Sequence, residues 1–314
     1  MSSITKKGSL HLPFPFVVII SFVSGYLFAL ISSVFFSLYV VPRKLSKLSP
    51  VVFSFFMAVG FSVCSLVLYL FKPLLGFQES FSPILWWSVL AGLIWAGSFV
   101  LFVGSIDLIG LSRSNQWKNL QGPVGAVLSL VVLKEFATTN PVFALLAAVA
   151  IFLSAIFFTT SSETAKKINI RGVSLALLSA LGFGSVAVIQ KYVTSHVGVY
   201  LQQVVWSLAI AGSIATYILL RGKISELRRA VKREVWVGLS AGVLYLGASL
   251  FQLFSYQHLA ASIAFTMIQT SALWTIAIGI LVFKEIDLKK HYGKVSLGLI
   301  LAIIGIILLV FARK

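Results

Sequence analysis

The chain has 314 residues, of which 59% are hydrophobic and only 11% charged, and its mean hydropathy is +1.02. A water-soluble domain of this length cannot hide so much apolar surface, so the lipid bilayer is the expected solvent and partner. The net charge of +17 in a soluble protein would point to nucleic acid, but these bases sit in short runs between apolar blocks, as membrane-flanking loops do, and no nucleic-acid partner is expected.

A spanning helix needs about 20 mostly apolar residues. The sequence predicts ten segments: 13–41, 51–71, 83–106, 109–133, 141–160, 172–193, 198–220, 235–257, 259–283 and 294–312. Lys6 and Lys7 precede the first, as in a signal peptide, but the run to Val41 is too long for one and lacks a small-residue cleavage pattern. Breakers or charges mark the gaps, for example Pro42-Arg43-Lys44, Lys72-Pro73, Asn140-Pro141 and Arg221-Gly222-Lys223. The gaps at 107–108 and near 258 are so short that segments three and four, and eight and nine, should form tight hairpins. The basic stretch Ile224 to Glu234 is open to two readings, a helix lying on the membrane surface or a solvated loop.

Basic residues set the orientation. The connections after segments one, five, seven and nine hold sixteen Lys and Arg, and the opposite side with both termini holds seven. The positive-inside rule therefore places both termini outside the cytoplasm, with the plasma membrane as the expected location.

The chain also matches itself. Adding 150 to positions from Trp87 onward sets Ala91-Gly92 on Ala241-Gly242, Trp95 on Tyr245, Gly97 on Gly247, Ser112 on Ser262 and Lys134-Glu135 on Lys284-Glu285. Adding 147 sets Gly25 on Gly172, Ser32 on Ser179, Phe36 on Phe183 and Lys44 on Lys191. The expected fold is therefore an all-α polytopic membrane protein, ten transmembrane helices as two inverted five-helix repeats, 1–163 and 164–314. Five is odd, so the copies must run through the membrane in opposite directions. Inverted repeats are a transporter architecture, with the solute held near the midplane between them.

Ten helices in this arrangement resemble the drug/metabolite transporter superfamily and its EamA-like members. Gly25-Tyr26, Ala29-Leu30, Ser32-Ser33-x-Phe35-Phe36 and Val41-Pro42-Arg43-Lys44 are similar to the first-helix pattern of the glucose/ribose-uptake and rhamnose-transporter-like families, and the Lys-Glu pairs closing segments four and nine resemble the superfamily pattern. The resemblance implies passage of a sugar or similar polar metabolite through a central cavity lined by segments 1, 3, 4, 6, 8 and 9. It also implies that segments 5 and 10 are scaffold or the contact of a homodimer. An amino-acid or metabolite exporter, and a non-transporting solute sensor or scaffold, are the other readings of this fold.

Segment four supplies the candidate site. Ser112, Asn115, Gln116 and Asn119 share one helical face, and Ser262, Thr266 and Gln269 occupy the aligned face of segment nine. Amides both donate and accept without a fixed charge, which suits a neutral polyol; the bland alternative is interhelical glue. Asn119 and Gln269 are the aligned pair. Lys118 lies well inside the segment, where an unpaired charge costs about 3 kcal/mol, and is expected to face the cavity, with snorkelling toward the interface as the alternative. Trp95 and Tyr245 offer stacking faces for a sugar ring or serve packing alone, and Gln252 is a further candidate.

All eight acids lie outside the middle of any segment, which argues against proton-coupled export of cations. Cys64 is alone, and the four histidines have no ligand spacing, so no metal and no cofactor are expected. No nucleotide loop and no nucleophile–base pair stands out, and an enzyme is not expected.

Overall fold

In hydrocarbon every backbone N–H and C=O must find a partner within the protein, which leaves helices or closed barrels as spanning forms. Unbroken apolar runs of this length select helices. The computed structural model describes residues 14–75, 79–109, 114, 117–159, 169–282 and 288–314. Among these the helices, in chain order, are α1 (Phe14–Leu38), α2 (Val41–Leu45), α3 (Pro50–Phe71), α4 (Trp86–Ile109), α5 (Gln121–Val132), α6 (Pro141–Thr159), α7 (Ile170–Thr194), α8 (Val199–Leu220), α9 (Ile224–Arg228), α10 (Lys232–His258), α11 (Ala261–Ile268), α12 (Ser271–Leu281) and α13 (Leu288–Ala312).

Seven described helices are long and apolar enough to cross a membrane: α1 continued by α2, then α3, α4, α7, α8, α10 and α13. The fold is an all-α polytopic membrane bundle. Three of the ten expected segments take another form. Segment five is the shorter apolar helix α6. Segment nine is two helices, α11 and α12, and the described part of segment four is α5 with a turn before it at 119–120. The basic stretch from Ile224 divides as well: α9 is one short exposed helix, and Lys232 already begins α10.

Packing runs mainly between the two halves of the sequence. α4 packs on α7, α1 on α10, α3 on α10 and α8, α4 on α8, α5 on α7 and α11, and α6 on α13. Residues 1–163 and 164–314 thus interlock and are not two separate bodies.

Small residues permit these crossings, as is usual where apolar lipid gives helices no hydrophobic reason to associate. A Cβ on Gly25 would lie 2.8 Å from Leu259 and 2.9 Å from His258; one on Gly172 would lie 2.5 Å from Ile109 and 3.0 Å from Leu108. Gly60 and Gly242 let α3 and α10 touch along their backbones, and Gly92 lets α4 meet Ala209 and Ile210 of α8. The glycines paired by the sequence offsets, Gly25 with Gly172 and Gly92 with Gly242, make corresponding close approaches.

Carboxylates join the halves at the helix ends. Glu135 follows Lys134, whose left-handed backbone (φ 54°) turns the chain across the bundle. The Glu135 carboxylate accepts from the N–H of Ala261 (2.6 Å) and of Ser262 (3.0 Å) and from the Ser262 hydroxyl (2.7 Å). It thereby caps α11, where four backbone donors start without intrahelical partners. Glu79 does the same for α8, accepting from Tyr200 N (3.0 Å) and Leu201 N (2.8 Å), and pairs with Lys72 at 3.2 Å. At the opposite end Glu226 accepts from the Ser49 hydroxyl (2.7 Å), and Glu234 from Ser46 Oγ (2.6 Å) and Lys47 N (3.0 Å). These contacts tie the α9–α10 region to the start of α3.

Candidate functional site

Two helix interruptions face each other inside the bundle. At 119–120 the bonds shorten to an i−3 pattern: Leu120 N donates to Trp117 O at 3.2 Å and Gly122 N to Asn119 O at 3.3 Å. Pro123 has no N–H for Asn119 O and its ring crowds that carbonyl, which is reason enough for the turn. At 269–270, Thr270 N donates to Met267 O (3.0 Å), Ala272 N to Gln269 O (3.3 Å) and Leu273 N to Thr270 O (2.8 Å). No proline or glycine lies at this second turn. The turns are 150 residues apart, the offset already seen in the sequence.

Across them Gln121 Nε2 donates to Gln269 Oε1 at 2.9 Å. Sequence alignment pairs Gln269 with Asn119; the structure instead gives its oxygen to Gln121, because the turn at 119–120 rotates Asn119 off the continuous helical face expected for it. Gly122 allows the approach, since a Cβ there would lie 3.1 Å from Gln269 Cγ. Asn119 is half-buried at the turn. Thr266 is buried, and its hydroxyl donates to Ser262 O of its own helix at 2.7 Å. Asn115 and Gln116 lie outside the described residues.

An aromatic cluster reaches the first interruption through Phe183, whose ring lies 5.8 Å from the ammonium of Lys118 just before the turn. Trp95 and Tyr245, from different halves of the chain, meet edge to face with centroids 5.8 Å apart. Phe183 packs edge-on against Trp95 (5.9 Å) and Phe36 against Tyr245 (5.7 Å); Phe36 and Phe183 are themselves an aligned pair. Trp206 joins at 6.1 Å from Tyr245, and Phe99 stacks on Trp95 at 5.6 Å. Trp95 is 8% and Tyr245 3% exposed, so neither ring serves as a lipid-facing belt.

Lys118 enters this cluster from the side. Its ammonium lies 5.2 Å from the centroid of Phe102 and 5.8 Å from that of Phe183. The polar side chains one turn away are engaged elsewhere: the Ser114 hydroxyl receives a bond from Ser105 (2.7 Å) and Gln121 reaches Gln269. Among the described residues no hydrogen-bond acceptor or carboxylate partners the ammonium. Ring faces offset part of the cost of its burial.

Buried amides fill the bundle toward the end where α7 finishes and α8 begins. Gln202 Nε2 donates to Gln190 Oε1 (2.7 Å), Thr194 Oγ1 to Gln202 Oε1 (2.9 Å), Gln203 Nε2 to the Ser249 hydroxyl, and Gln252 Nε2 to Tyr256 OH (2.8 Å). Gln252 is thus two helical turns from Tyr245 on α10 and belongs to this network, apart from the two interruptions. Neither Gln121 nor Gln203 is among the solute contacts expected from the sequence; the Gly122-Pro123 step is the one local signal that points to Gln121.

The first-helix motif has a structural share. Ser32 donates to Ala248 O (2.7 Å), fastening α1 to α10, and Ser33 accepts from Trp274 Nε1 (3.0 Å) of α12.

The chain is similar to the probable glucose uptake protein GlcU of two Bacillus cereus strains, 26% and 25% identical over 264 residues, covering 81% of this chain and 87% of each relative. The corresponding Bacillus anthracis protein is 25% identical over the same lengths. A protein of known crystal structure shares the fold with a TM-score of 0.73 at 11% identity, covering 94% of this chain and 99% of the other. The profile of the family described as sugar transport protein matches residues 78–312. The chain therefore belongs to the sugar transport protein family, as an integral multi-pass membrane protein.

Proposed function

We propose that the protein is a secondary transporter that carries a sugar or closely similar polar metabolite by alternating access, and not an enzyme. The observation that carries this reading is the pair of facing helix interruptions joined by Gln121 and Gln269 beside the Trp95–Tyr245 pair. Interrupted helices near the midplane expose backbone groups to a solute. The neighbouring amides supply donors and acceptors for hydroxyls, and the aromatic faces cover the apolar faces of a sugar ring. Lys118, Asn119 and Thr266 line the same region, with Asn115 and Gln116 as further contacts from segment four. The glucose uptake relatives favour a hexose among the sugars.

On this reading 1–163 and 164–314 are an inverted duplication. The halves interlock, so the moving bodies are groups of helices drawn from both of them. The outward placement of the termini, the plasma-membrane location and a homodimer through α6 and α13 belong to the same reading. Among the described residues every carboxylate lies at or near a helix end, which favours movement down a gradient over exchange against a membrane carboxylate.

Counterflow in proteoliposomes tests the proposal. Vesicles loaded with unlabelled glucose should accumulate labelled glucose transiently, and loading with amino acids should not produce the overshoot. An overshoot with amino acids alone, or no flux with intact glucose binding, would replace this reading with the exporter or the sensor.

A further inference from the structure

Two polar atoms beside the aromatic cluster have no hydrogen-bond partner among the described residues. Gln203 and Trp206 of α8 are 1% and 2% exposed, and neither Gln203 Oε1 nor Trp206 Nε1 is hydrogen-bonded. Three residues apart, they lie on the same face of the helix. That face is turned toward the cluster: the Trp206 indole packs on Tyr245 (6.1 Å) and on Phe61 (5.6 Å). Gln203 is held by its other amide atom, which donates to the Ser249 hydroxyl, and Ser249 in turn donates to Tyr245 O at 2.9 Å. The carboxamide is thereby fixed about one turn from Tyr245 with its acceptor unused.

Natural proteins rarely leave buried donors and acceptors unmet, and such cases call for a reason. Packing symmetry does not provide one. Counting from the corresponding crossings at Gly60 and Ala209, α3 has Ser54 and Met57 where α8 has Gln203 and Trp206. The bundle is therefore built at the equivalent place without an indole or a carboxamide.

We propose that Gln203 and Trp206 form a second hydrogen-bonding station for the solute, in which sugar hydroxyls accept from Trp206 Nε1 and donate to Gln203 Oε1 while the ring lies against Tyr245 and Trp95. One unmet donor and one unmet acceptor on a common face match what a hydroxyl offers, since it both accepts and donates. The station discriminates a hydroxylated ring from a deoxygenated one, because a solute lacking that hydroxyl leaves the two buried atoms unpaired. This inference rests on the sugar-transport reading and adds to it two residues that specify the substrate.

The test uses the full chain in proteoliposomes, with Trp206→Phe and Gln203→Met measured against glucose and its series of monodeoxy analogues. Trp206→Phe keeps an aromatic ring against Phe61 and Tyr245, and Gln203→Met keeps side-chain length, so at least one should fold; thermal stability in detergent identifies which. The wild type should show one or two analogues with KM raised about tenfold, the size of a lost neutral hydrogen bond. Each folded variant should raise KM for glucose by a similar factor and lose its discrimination against those same analogues. Unchanged KM for glucose and all analogues in a folded variant, as expected if the two atoms merely hold a buried water, overturns the inference while leaving sugar transport standing. A wild type that exchanges no sugar overturns both.

Discussion

The two ends of the bundle are built on the same contacts with different chemistry. Near the α7–α8 junction Gln190 and Gln202 bond through their amides. At the other end, Arg43 and Phe53 hold the corresponding places, and the guanidinium lies over the ring at 5.4 Å. Ser249 and Gln252 on α10 likewise answer to Phe99 and Phe102 on α4 by the offset of 150. One side of the central cluster is thus lined by amides and hydroxyls, the other by rings and a cation. Recurring contacts do not impose recurring chemistry: packing requires small residues at the crossings, and those recur, whereas the remaining positions are free to differ. Hydrogen-bonding groups therefore flank the aromatic pair on one side, and Lys118 and Phe102 on the other.

Substitutions at the two ends and at the centre between them test this contrast. The largest effect is expected from Lys118→Met, which removes the ammonium beside Phe102 and Phe183. Transport should be abolished with the fold retained, as seen by counterflow and by size-exclusion profile; undiminished counterflow would mean that the lysine is only a packing element. Gln121→Leu removes the amide bridge between the interruptions while leaving the amide end intact. Its KM for sugar should rise about tenfold, and an unchanged KM would assign the bridge to helix association alone.

Stability should also differ between the ends. Glu135 is 7% exposed and makes three bonds to the start of α11, so Glu135→Ala should cost about 1–2 kcal/mol and lower the melting temperature in detergent. Glu226 accepts one exposed bond from Ser49, and Glu226→Gln should change stability by less than about 0.5 kcal/mol. Equal melting shifts would contradict the difference in burial. The aligned glycines Gly97 and Gly247 should differ in sign. A Cβ at Gly97 meets nothing within 4 Å, whereas one at Gly247 would lie 2.7 Å from the Phe35 ring. Gly97→Ala should be neutral or stabilising by up to about 1 kcal/mol, and Gly247→Ala destabilising, in thermal melts of the purified protein.

Much of the fold is legible in the sequence because lipid allows little else. Long apolar runs such as Val199–Leu220 announce themselves by length, and the predicted boundaries 198–220 and 172–193 lie within two residues of α8 and α7. The placement of the acids is legible too: carboxyl groups are costly in the membrane core, and Glu79 and Glu135 lie at helix ends, where they cap the α8 and α11 donors. The interruptions leave a fainter trace. Periodicity treats 109–133 and 259–283 as continuous, and only Pro123 hints at the first turn. The second has no proline or glycine; there the Thr270 hydroxyl donates to Met267 O at 2.7 Å, and Gln269 meets Gln121 and Gly122 from the other half.

The sequence by itself determined that this chain lives in a membrane as a helical bundle and that its two parts share a pattern, because hydropathy and spacing are properties of the string. Only the tertiary structure decided which amide faces which, that Gln121 and not Asn119 meets Gln269, and that Gln203 Oε1 and Trp206 Nε1 find no hydrogen-bond partner among the described residues. Those outcomes turn on the rotation of one helix against another, which a few backbone hydrogen bonds at a turn set and no residue-by-residue scale records.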